Sequence, residues 1–106
     1  MNKSNDNNII RIKELTAPIF KKYGVEKAYI FGSYARGDYN ENSDIDIIIT
    51  SKNIKSLLVI GAILEALKSA LNKEVDLIEE ECFSNMDEID EPFYNNIMKE
   101  RVIIYG

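Results

Sequence analysis

Apolar positions in this chain fall first at helical spacing and then in short blocks. Ile9, Ile12, Leu15, Ile19 and Phe20 share one face of a predicted amphipathic helix that ends at Gly24. Pro18 is expected to bend that helix or divide it in two. The polar lead, residues 1–8, is expected to be flexible, with helix-capping chemistry at Ser4 or Asp6. Ala28-Tyr29-Ile30-Phe31 reads as a strand, Ser33 to Arg36 as a short helix, and Gly37 to Asn42 as turn. A second strand, Asp44 to Thr50, alternates: Ile45, Ile47 and Ile49 on one face, Asp44, Asp46 and Ile48 on the other. Its four isoleucines mark it as central in a sheet.

Ile54 to Leu71 carries Leu57, Ile60, Leu64, Leu67 and Leu71 at spacings of three and four, which predicts a long helix buried on one side. Gly61 costs that helix up to about 1 kcal/mol against alanine, so close packing against a neighbour is expected there. A third strand, Glu74 to Ile78, sets Val75 and Leu77 opposite Asp76. Glu79-Glu80-Glu81 through Pro92 reads as loop or weak helix, Phe93 to Lys99 as a helix, and Val102 to Tyr105 as a closing strand.

A length of 106 residues suits a single domain, 1–106, with one modest core. The net charge of -5 argues against stable nucleic-acid binding and favours a basic partner. Cys82 is the one cysteine, so no internal disulfide can form. The start lacks the apolar run of a signal peptide, and no stretch approaches the ~20 apolar residues of a membrane span. The expected setting is cytoplasmic.

The chemistry concentrates between residues 32 and 46. Gly32 and Ser33 follow a strand and open a helix, where free N–H groups attract phosphate. Gly32 admits a close anion, and Ser33 adds a hydroxyl that can also cap the helix. Asp44 and Asp46, two apart on a strand, point to one side and repel each other, and a magnesium ion between them would relieve that repulsion. Asp76 joins them if the second and third strands are neighbours, and three carboxylates can hold two magnesium ions about 3.5–4 Å apart. Arg36 either neutralises phosphate charge or pairs with Asp38 or Glu41. Tyr29 is expected in the core. Tyr39, beside the motif, is a candidate for stacking on a nucleobase, although packing is the commoner role of such a ring. Ser43 reads as a turn residue or a support for Asp44, Cys82 as non-catalytic, and the glutamate run as solvated.

Gly32-Ser33, ten residues, then Asp44-Ile45-Asp46 and a later Asp76 resemble the signature of the minimal nucleotidyltransferases of the DNA polymerase beta-like superfamily. Ala35-Arg36-Gly37 and Ser43 are similar to the family as well. The resemblance implies an α+β fold, a small mixed sheet with helices packed mainly on one face. It further implies Gly32, Ser33 and Arg36 on the triphosphate of ATP, and Asp44, Asp46 and Asp76 on two Mg2+ ions. With no histidine in the chain, Asp76 is a candidate to accept the proton of the attacking hydroxyl. Stand-alone members of this size resemble antitoxins that transfer AMP to a tyrosine of a HEPN ribonuclease toxin. Two other readings stay open: transfer to a small molecule, and an antitoxin that only occludes its partner.

Overall fold

The structure, a computed structural model, describes residues 7–51, 56–80 and 91–106. Helix α1 spans Asn7–Tyr23 and buries Ile9, Ile12, Thr16 and Phe20, a stripe at spacings of three and four. Thr16 is the polar member, and its hydroxyl donates to the Ile12 carbonyl at 2.7 Å. Pro18 does not divide the helix. Its ring removes one hydrogen bond, to the carbonyl of Glu14, and both residues are exposed, so water can satisfy that group. Leu15, expected in the core, lies at the rim with 37% of its surface exposed. The proposed caps Ser4 and Asp6 lie outside the described residues.

Strand β1 (Lys27–Phe31) leads through Gly32 into the single-turn helix α2 (Ser33–Arg36), and β2 follows at Ile45–Thr50. Between them the turn is held by side chains. The Asn42 N–H donates to Asn40 Oδ1 at 2.8 Å and the Asn40 N–H to Ser43 Oγ at 2.9 Å, which gives Ser43 its turn role. Helix α3 (Leu57–Leu71) crosses to β3 (Val75–Glu79), parallel to β2 as a helical crossover requires. Helix α4 (Glu91–Glu100) and β4 (Val102–Tyr105) close the chain. The sheet order is β3-β2-β1-β4, with β1 antiparallel to both β2 and β4. The isoleucine-rich β2 is central, as its composition predicts.

The two faces of β2 are covered differently. Ile45, Ile47 and Ile49 enter the main core beneath α1 and α3, with Ile9, Phe20, Ile63 and Leu67. Ile48 faces the other way, in a small cluster with Phe31, Ile97 of α4 and Ile78. The two long helices thus share one face while α4 lies on the other, leaving part of that second face uncovered beside Asp46.

Four details differ from the expectations above. Leu57, expected on the buried side of α3, is 84% exposed and Leu58 is 87% exposed. The helix starts at an N-cap Ser56, whose hydroxyl accepts from Leu58 N–H at 3.2 Å. Ile54 lies outside the described residues. Gly61 has no close neighbour: a Cβ there would meet nothing within 4 Å. Glu79 belongs to β3 instead of a loop, and Glu80 accepts from Arg101 Nη1 at 2.8 Å. The Arg101 guanidinium also lies 3.9 Å from the ring centre of Tyr29, so Tyr29 is half-buried under a cation instead of in the apolar core. Glu81 and Cys82 lie outside the described residues. No described helix is long and apolar enough to cross a membrane.

Candidate active site

The pairing of β2 with its neighbours decides where the carboxylates meet. Asp46 lies opposite Phe31 of β1 on one side and opposite Asp76 of β3 on the other. Residues in register on adjacent strands point to the same face. The Asp46 and Asp76 carboxyls accordingly come within hydrogen-bonding reach. Asp44, just before β2, is exposed and acts on Asp46 through its charge. Burial, then the hydrogen bond and charge of Asp76, then the charge of Asp44, push the Asp46 carboxyl up to about 6, against a smaller downward pull from Arg36.

Gly32 forms the turn that faces Asp46. Its φ of +70° with ψ of -146° is a backbone conformation that is essentially glycine's alone, and a Cβ there would collide with Asp46 Oδ2. Gly32 is itself the N-cap of α2, and no side chain caps the helix, so Ser33 is the first helical residue and does not serve as the cap. The first-turn N–H groups have no partner within the helix. Ser33 is half-buried and lines a cleft of about 540 Å³. Phe31, Gly32, Ser33 and Arg36 of the β1–α2 segment, Asp46 of β2, and Asn96, Ile97 and Glu100 of α4 line that cleft, whereas Asp44 and Asp76 are not among its lining residues.

Arg36 both lines the cleft and makes ion pairs: Nε lies 3.2 Å from Asp38 Oδ2 and Nη1 3.4 Å from Glu100 Oε2. The Asp38 pair is the one the sequence suggests, whereas Glu100, 64 positions away, is not foreseeable locally. Asn96 and Glu100 escape sequence reasoning altogether. Their one signal is a spacing of four about Ile97, which becomes meaningful only once Ile97 is known to pack on the sheet. Tyr39 is absent from the cleft. Its ring stacks on Tyr34 with centroids 4.2 Å apart, and it lines a separate cavity of about 590 Å³ on the helical side of the sheet.

The donor set suits a hard divalent cation, since the Asp46 and Asp76 carboxyls crowd together and Asp46 is raised by its neighbours. As the side chains stand, no group of three or more His, Cys, Asp or Glu among the described residues is arranged to hold an ion. The close pair is Asp46 with Asp76, and Asp44 stands apart from it.

A family model described as a nucleotidyltransferase domain matches residues 12–104. A candidate protein adenylyltransferase of Methanocaldococcus jannaschii is 46% identical over 71 residues, covering 67% of this chain and 76% of that protein. The fold is similar to a crystal structure of a toxin-antitoxin with AMP-PNP, at TM-score 0.70 and 21% identity over 89% of this chain and 73% of that one. It is also similar to a complex of tri-AMPylated Shewanella oneidensis HEPN toxin with an MNT antitoxin, at TM-score 0.52 and 22% identity over 100% of this chain and 73% of that one.

Proposed function

The chain belongs to the nucleotidyltransferase domain family, and from that premise we propose that it transfers AMP from ATP, with Mg2+, to a tyrosine hydroxyl of a HEPN-type toxin, releasing pyrophosphate and so serving as the antitoxin. The observation that carries this reading is Asp46, in register with Asp76 on one side and set against the glycine turn at Gly32 on the other. The adenylyltransferase name of the archaeal relative and the AMPylated toxin in the structural neighbour support the choice of nucleotide and acceptor. A net charge of -5 suits a basic protein partner.

In this mechanism Gly32 lets the triphosphate approach the backbone, while Ser33 donates its hydroxyl and Arg36 its guanidinium to phosphate oxygens. Asp46 and Asp76, with Asp44 turned toward them, would hold magnesium. When bound there, Mg2+ screens the phosphate charge and lowers the pKa of the acceptor hydroxyl. The acceptor oxygen forms a bond to the α-phosphorus as the bond to pyrophosphate breaks. Asp76, exposed beside Asp46, takes the hydroxyl proton. The cleft fixes the nucleotide, and the partner protein supplies the tyrosine.

The test is to incubate the protein with magnesium, labelled ATP and the HEPN protein encoded beside it, and to weigh the acceptor. A mass gain of whole AMP units on a tyrosine is expected, with loss of at least about a hundredfold in rate for Asp44→Asn and for Asp46→Asn. Undiminished transfer by both variants would refute the site. Label on a small molecule alone would move the reading to a different acceptor.

A further inference from the structure

The α4 side of the cleft carries the wrong charge for an anion site. Glu100 lines it, and its carboxylate engages Arg36 at 3.4 Å while Asp38 takes the same guanidinium at 3.2 Å. Both contacts involve one nitrogen and one oxygen and are long for charge-assisted hydrogen bonds. The three side chains are 36–63% exposed, so neither contact holds Arg36 tightly. The two carboxylates differ in how they are mounted. Asp38 follows α2 by two residues, on the same segment as Arg36. Glu100 sits between two anchors: Ile97, packed against Phe31 and Ile48, and Arg101, which bonds Glu80 and covers Tyr29. Glu100 therefore reaches to Arg36 from a backbone segment anchored on both sides.

We propose that Glu100 sets the nucleotide affinity of the cleft, holding Arg36 in a latch that an incoming triphosphate must displace. The proposal rests on the nucleotidyltransferase reading of the same cleft. A phosphate oxygen competes with the carboxylate for the same guanidinium donors. A triphosphate brings more charge and bidentate geometry than a single-point carboxylate, so the exchange runs forward. Its cost appears as weaker nucleotide binding, and Glu100 reclaims Arg36 as pyrophosphate leaves.

Calorimetric titration with α,β-methylene ATP and magnesium tests this on four proteins: the unsubstituted chain, Glu100→Gln, Arg36→Met and the double variant. Glu100→Gln should bind the analogue about three- to fivefold more tightly, the range expected when an exposed ion pair no longer has to be broken. In the Arg36→Met background the same substitution should change nothing. Asp38→Asn, which frees the guanidinium from the other side, should also tighten binding and serves as the second variant if Glu100→Gln folds poorly. Unchanged or weaker binding by folded Glu100→Gln overturns the latch and leaves the nucleotide site standing. A gain that survives Arg36→Met shows plain charge repulsion and likewise overturns it. If the unsubstituted chain and every variant fail to bind the analogue, the nucleotide reading itself falls.

Discussion

Replacing Gly32 by alanine would meet two costs at one atom. The backbone at φ +70° and ψ -146° disfavours any Cβ, and the new Cβ would strike the Asp46 carboxylate. Gly32→Ala is expected to lower stability by about 1–3 kcal/mol and, by displacing Asp46, to cut transfer at least about tenfold. Thermal unfolding and steady-state rates check the two parts separately. Asp46 behaves in the opposite sense. Its folded carboxyl is raised from 3.8 to about 6, so native protein binds the proton more tightly than unfolded chain. The stability this contributes is full below about pH 4 and is lost as pH climbs through about 6. Asp46→Asn escapes that loss. In chelator at pH 7.5 it should be more stable by on the order of 1 kcal/mol, a figure reduced for solvent screening at a half-exposed carboxylate. The gap should close toward pH 4 in urea titrations. A variant that gains stability while losing transfer is what the proposed role of Asp46 predicts.

Among the elements, α3 shows how far periodicity carries. LLVIGAIL is apolar almost throughout, so its spacing fits more than one face, and the choice of Leu57 as a core residue fails for that reason. The sheet selects Ile63 and Leu67, both fully buried, and leaves Leu57 and Leu58 in the open. Gly61 faces free space, and Gly61→Ala should stabilise the protein by up to about 1 kcal/mol through helix propensity alone. A shift in the urea midpoint measures it, and destabilisation would reveal a contact at Gly61. By contrast β2 is legible from its residues, because alternating Ile and Asp leave a single choice of buried face, and a fourth isoleucine at 48 calls for a cover on the other.

Across the whole molecule, Asp46 and Asp76 belong to two strands joined by a helix, so an ion held between them would couple its binding to folding. Millimolar Mg2+ should raise the melting temperature of the unsubstituted chain by a few degrees, about 1–2 kcal/mol of linkage at a weak site. It should leave Asp46→Asn and Asp76→Asn nearly unmoved. Equal shifts in all three proteins would place the ion elsewhere. This readout needs neither ATP nor acceptor, which separates metal binding from transfer.

Residue types and spacings alone determined the order of helices and strands, the central place of β2 and the turn at Gly32, because each follows from local backbone preference or from a period of two. Tertiary structure decided which carboxylates touch, since Asp46 meets Asp76 through the parallel register of β2 and β3 while Asp44 stands outside the strand pairing. It also decided that α4 walls the cleft and brings Glu100 to Arg36 across 64 positions. Such contacts come from long-range packing of Ile97 on the sheet, and no local pattern encodes which two distant side chains will share one guanidinium.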